Sequence, residues 1–257
     1  VMTKGKKLYL AIVVAIIVAL GIWSIILDFS RFSSLNFEYD IYPSALLKRI
    51  NVILAASIAW SAGRDRLSPR DSVMMKIIFL FICLAESAFA FRWREAGICL
   101  FAICQILLAV RHSTGLIYGL NHADILQKKR LLIISLVIIA MLAAFPILLN
   151  KIIIIHKPVF IVYLYGLLLS VSLWAGLANS ILGMLPGKNS VMAAAGMICF
   201  YCCDVLVGLD AVLKAGLPWL MANSFIWIFY IPALVLLALS SYKPENIFFK
   251  TDKGAAE

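Results

Sequence analysis

Two lone carboxylates, Glu86 and Asp204, fall within long apolar stretches of this chain, where a bilayer gives an acidic side chain almost nothing to bind. Ionisable residues at such depth face a bundle interior or a water-filled cavity and mark ligand or proton sites. Two carboxyls sharing one low-dielectric cavity are suited to acid–base chemistry. Burial and mutual repulsion separate their proton affinities, leaving one neutral beside an ionised partner.

A recurring spacing surrounds the pair. Gly97, Phe101 and Gln105 stand four residues apart, and Gly196, Phe200 and Asp204 repeat the pattern. A four-residue step keeps side chains on one helical face, so each stretch carries a stripe from a close-packing glycine through an aromatic ring to a polar group. These stripes are expected to face the bundle interior, although a plain packing seam with one polar bond across it has the same spacing.

Other residue types offer less chemistry. Cys83, Cys99, Cys104, Cys199, Cys202 and Cys203 all lie inside apolar stretches; Cys199 and Cys202 have CxxC spacing but no second pair and no histidine nearby, so they are read as small packing residues. His112, His122 and His156 fall in loops or at stretch ends without metal-ligand spacing and are expected to face solvent or headgroups. The chain has no Gly-rich phosphate loop, no GxSxG elbow and no Ser/His/Asp set in register, which argues against a nucleotide-driven pump and a serine esterase. No metal or nucleotide cofactor is expected.

The elements that must position the carboxyls are membrane helices. Hydrophobic residues make up 64% of the chain and charged ones only 14%, with mean hydropathy +1.01, far from soluble composition. The expected architecture is all-α, a single polytopic transmembrane bundle over residues 1–257 with about eight spans, near 8–27, 45–62, 72–91, 96–110, 131–149, 158–177, 191–209 and 217–240. A count of seven also fits, since the fourth is short and the second starts polar. The first, despite the basic lead of Lys4, Lys6 and Lys7, is too long and lacks a small-residue cleavage site, so it is read as a retained helix.

With the N-terminus inside, cytoplasmic segments hold 15 of the 23 Lys and Arg residues and external ones hold 8, which favours both termini in the cytoplasm. The net charge of +10 then reflects topology and anionic headgroups. Nucleic acid is not an expected partner, because the basic residues form no single stripe. Multi-pass insertion is expected, in the plasma membrane if the source is bacterial. Trp23, Trp60, Trp93, Trp174 and Trp219 are placed as interfacial anchors, and Asp210 beside Lys214 as an exposed helix-end pair.

The segment Gly196 to Asp204 resembles the Gly-x-x-x-Phe-x-x-Ser-Asp signature of the lysoplasmalogenase (YhhN-like) family of eight-span membrane proteins. Other pieces agree in order. Gly97 to Gln105 resembles the family's Gly-x-x-x-Phe-x-x-x-His; Ala85-Glu86 stands in the place of its Gly-Asp; Pro158 to Tyr163 resembles its Pro-Val and Tyr segment; Tyr230 to Ser240 resembles its closing segment. Lys48 matches the lysine of a family Lys-Pro pair, with Arg49 in place of proline. The resemblance runs from about Lys48 to Ser240, and it departs from the family pattern at Glu86, Gln105, Cys203 and Leu234.

The resemblance implies hydrolysis of the vinyl ether bond of a lysoplasmalogen-type lysolipid to a fatty aldehyde and a glycerophospho-alcohol. Asp204 and Glu86 would be the catalytic carboxyls. Gln105 would orient a water or a headgroup oxygen, Tyr163 and Tyr230 would position the water or the acids, and Lys48 would meet the lipid phosphate. Glu86 lies six residues before Arg92 and Asp204 six before Asp210, each about 9 Å of helix at 1.5 Å per residue, so both fall toward the non-cytoplasmic side. An alternative of another class is a transporter or lipid-binding protein in which Glu86 and Asp204 couple protons or a cation.

Overall fold

The computed structural model describes residues 2–32, 44–152, 159–210, 213 and 216–247, and every regular element among them is helical. In chain order these are α1 (Lys4–Phe32), α2 (Ser44–Trp60), α3 (Pro69–Ala90), α4 (Arg94–His112), α5 (Leu116–His122), α6 (Ile125–Ile152), α7 (Val159–Leu182), α8 (Gly187–Asp210), α9 (Leu217–Leu239) and α10 (Pro244–Ile247), with one 3-10 turn at Gly63–Asp65. Each of the eight expected spans coincides with a long helix. Six of these helices, α1, α3, α4, α7, α8 and α9, are long and apolar enough to cross a membrane. Over the described residues the other two fall short of that standard: α2 has only 17 residues, and α6 carries Lys128, Lys129 and Arg130 near its start.

Local chemistry sets the helix limits. Ser68 caps α3, its hydroxyl accepting from the Asp71 amide at 3.1 Å, and Pro69 occupies the first helical position, where its missing N–H costs nothing. Beyond α7 the chain turns at Gly183, whose φ of +65° suits a residue without Cβ. The α3–α4 turn is tighter: Arg92 itself takes φ 63°, a left-handed conformation costing a non-glycine residue about 1–2 kcal/mol. That turn holds the helices of Glu86 and Gln105 antiparallel and adjacent.

The helices pack as a closed ring with two outriders. In cyclic order α2, α3, α4, α7, α8 and α9 each touch their neighbours; α1 packs outside on α2 and α9, and α6 outside on α7. Close approach of α8 and α9 depends on Gly196, where a Cβ would lie 2.9 Å from Leu237 Cγ and 3.3 Å from the Ala233 carbonyl. At Gly97 a Cβ would stand 2.7 Å from the Phe89 ring. Both stripe glycines are thus at sites of contact.

Polar clusters close the two ends of the bundle. At one end Arg111 of α4 forms a two-point ion pair with Asp71 of α3, at 2.7 and 3.2 Å, and donates to Ser240 Oγ at 2.9 Å. Asn189 donates to the Ser240 and Tyr242 carbonyls at 2.7 and 2.6 Å, while Lys6 pairs with Asp65 at 2.5 Å and the Tyr242 hydroxyl donates to the Ile58 carbonyl at 2.7 Å. At the other end Lys48 of α2 pairs with Asp28 of α1 at 2.7 Å, and Ser44 donates to the same carboxylate at 2.5 Å.

Several sequence expectations change in three dimensions. His112, expected at a wet surface, is fully buried beside Arg111, because α4 runs two residues further into the polar cluster than the apolar pattern implied. Trp174 and Trp219 are not interfacial anchors: Trp174 Nε1 donates to Ser135 across the α6–α7 seam at 2.9 Å, and Trp219 is buried. Asp210 is half-buried and accepts from Asn223 at 3.5 Å; Lys214, its expected partner, lies outside the described residues, as do His156 and Pro158.

Candidate carboxyl-pair site

All six ring helices send a side chain toward one region. Asp204 projects from α8, where it accepts the Tyr165 hydroxyl of α7 at 2.6 Å and the Gln105 amide of α4 at 3.4 Å. Both donors meet Oδ2, and no described residue donates to Oδ1. Gln105 is itself held from behind, because Ser172 of α7 donates to its Oε1. Glu86 of α3 is close enough to act electrostatically on Asp204, and Arg49 of α2 acts on Glu86. Beside Glu86 lies the Tyr230 hydroxyl of α9, buried and without a regular hydrogen-bond partner.

The carboxyls keep some accessible surface although helices surround them. Gln105 and Ser172 are fully buried behind them, whereas Glu86, Asp204 and Tyr165 are half-buried. An aromatic wall completes the surroundings: Tyr230 meets Phe200, Phe101 and Trp227 edge-on, with ring centroids 5.7, 6.2 and 5.5 Å apart. Edge-to-face contacts of this kind fix ring orientation and exclude water. The two sequence stripes face each other here, Phe101 against Phe200 at 6.1 Å and Gln105 against Asp204.

Other candidate residues are placed differently. Tyr163 sits two residues from Tyr165, roughly 200° around α7, and makes no hydrogen bond to the pair. Lys48 does not reach for a headgroup; it is buried, with its ammonium on Asp28, 3.3 Å from Asn223 Oδ1 and over the Trp227 ring at 5.5 Å. Since Trp227 in turn packs on Tyr230, Lys48 borders the aromatic wall without touching the carboxyls.

Four residues with roles here escape the motif reading. Tyr165, Leu169 and Ser172 follow i, i+4, i+7 spacing, a single helical face that the sequence carries openly. Asp28 is an acid in the final turns of the first apolar helix, with a lysine early in the next, a pairing pattern for adjacent antiparallel helices.

No cluster of three or more His, Cys, Asp or Glu able to hold a metal occurs among the described residues, and the six cysteines are free thiols. The donors around the pair are hydroxyls, an amide and carboxyls. This set can hold and move protons and can orient one water. Comparison with protein-family models, with curated proteins and with solved structures finds no match to this chain.

Proposed function

We propose that this protein is a membrane-embedded hydrolase that cleaves the vinyl ether bond of lysoplasmalogen-type lysolipids. The observation that carries the reading is the meeting of Glu86 and Asp204 from separate helices, beside a buried tyrosine hydroxyl that has no regular hydrogen-bond partner. Enol ethers are hydrolysed through protonation of the β-carbon, which requires an acid and a negative group near the cation that develops.

The local donors divide the roles. Asp204 receives two hydrogen bonds, as suits the ionised partner, while Glu86, with only the Tyr230 hydroxyl beside it, is the proton donor. Glu86 delivers its proton to the β-carbon, and the resulting oxocarbenium ion faces Asp204 Oδ1. Water adds to the oxygen-bearing carbon of that ion and gives a proton to Asp204, forming a hemiacetal. Asp204 then protonates the leaving ether oxygen as Glu86 takes the hydroxyl proton, releasing aldehyde and alcohol. One water is consumed and both carboxyls return to their starting states. The aromatic wall of Phe101, Phe200, Trp227 and Tyr230 accommodates the apolar chain next to the bond.

The same reading places the chain in the membrane by eight traverses with both termini cytoplasmic. The number of long helices and the 15 to 8 distribution of basic residues support it. Purified protein given a lysoplasmenyl lipid is expected to release aldehyde, and Glu86→Gln and Asp204→Asn each to lower that rate by about 10²-fold or more. Unchanged rates in both variants, or no aldehyde from the wild type, would defeat the assignment. Proton-coupled uptake into proteoliposomes without aldehyde release would instead favour a transporter built on the same pair.

A further inference from the structure

Ser172 has one hydroxyl hydrogen and two acceptors within reach, Gln105 Oε1 and the Leu169 carbonyl at 3.0 Å. The carboxamide it contacts could in principle point either end at Asp204. If Oε1 faced the Asp204 carboxylate, two acceptors would oppose each other in a fully buried place, which is costly. With Ser172 donating to Oε1, the amide has one favourable orientation, and its N–H is directed at Asp204 Oδ2. Tyr165 supplies a second donor to that same oxygen.

We infer that Ser172 is a positioning residue that fixes the Gln105 amide, so that Oδ2 of Asp204 is saturated by donors and Oδ1 alone exchanges protons with a bound substrate or water. The other titratable groups facing Asp204 are Glu86 from α3, Cys104 from α4, Tyr165 from α7 and Cys203 of its own helix. None of them is a cation that would neutralise it. Directionality at the carboxyl therefore comes from neutral donors, and the orientation of the amide decides it. Ser172 touches no substrate; it acts through Gln105.

The chain contains two glutamines, Gln105 and Gln127, so the side-chain signals are easily separated. Full-length protein carrying 15N-labelled glutamine in nanodiscs, with Gln127→Asn removing the second signal, should give a Gln105 carboxamide resonance that titrates with pH and ceases to titrate in Asp204→Asn. Ser172→Ala should move that resonance and abolish its pH response, and Ser172→Thr, which keeps the hydroxyl, should restore both. An identical Gln105 signal in wild type and Ser172→Ala would overturn the inference.

The kinetic arm rests on the proposed hydrolysis. There, Ser172→Ala should lower kcat about tenfold and displace the pH–rate profile while leaving KM within twofold, with recovery in Ser172→Thr, as expected for loss of one oriented hydrogen bond. If the wild type releases no aldehyde, the hydrolase reading falls while the resonance experiment still decides the role of Ser172.

Discussion

The Arg111–Asp71 pair and the Glu86–Asp204 pair lie in the same bundle, yet they treat charge in opposite ways. Around Arg111 every element answers a charge with its complement: a two-point carboxylate, a serine hydroxyl and the Ser240 carbonyl, all with little exposure. Around Asp204 the donors are neutral, the nearest charged group acting on it is a second carboxyl, and both acids keep partial access. The first arrangement fixes helices. The second leaves Asp204 without a cationic partner among the described residues, which a bilayer protein sustains where protons or ligands must come and go.

The sharpest way to break this comparison is to remove one member of each pair and watch folding. Arg111→Met leaves the mostly buried Asp71 unpaired and is expected to cost about 3 kcal/mol, read as a large drop in unfolding temperature in detergent. Asp204→Asn removes a charge that no described cation balances, and its unfolding temperature should equal or exceed that of the wild type. A collapse of Asp204→Asn comparable to that of Arg111→Met would make the carboxyl pair structural.

Lys48 and Asp28 refine the contrast, because they sit at the same end as the carboxyl pair but are paired like Arg111. Lys48→Met is expected to cost about 2–3 kcal/mol, less than at Arg111, since Ser44 still donates to Asp28. Adding Asp28→Leu should recover most of it, as removing both buried charges is often neutral or better. Recovery of less than half in the double variant would mean that the pair contributes more than mutual neutralisation.

The smallest effect concerns Tyr242, which lies beyond the last long helix. Burial pushes its hydroxyl up to about 12 from an ordinary value of 10. Below pH 10 the group is neutral in folded and unfolded chains alike and gives no pH dependence. Above that the unfolded chain ionises first, so its contribution to stability falls as pH rises from 10 and levels off past 12. The drop in unfolding temperature between pH 9.5 and 11.5 should be smaller in Tyr242→Phe than in the wild type; equal drops would rule the linkage out.

The sequence made the helices and the inward stripes legible because both depend on local periodicity. Gly97, Phe101 and Gln105 declare a face at four-residue spacing, and that face meets Phe200 and Asp204 in the bundle. What periodicity lacks is the identity of the partner across the gap. Tyr163 and Tyr165 are equally aromatic and two positions apart, so the choice between them depends on the rotation of α7 against α8. Lys48 was readable as a phosphate ligand only while Asp28, twenty residues earlier, had no known position. His112 likewise looked like a solvent- or headgroup-facing residue until its place beside Arg111 showed it buried.

Tyr242 and its neighbours also bear on how the molecule is made. Lys243 donates its amide to the Asp65 carbonyl, Leu67 donates to Ser241, and α9 lies against both α1 and α2. Early helices therefore wait for late ones: a nascent chain arrested before α9 would present the translocon with an open ring, its α2 flank and its Asp65 corner bare. Synthesis of the last helix is thus the event that turns an inserted polypeptide into a durable one.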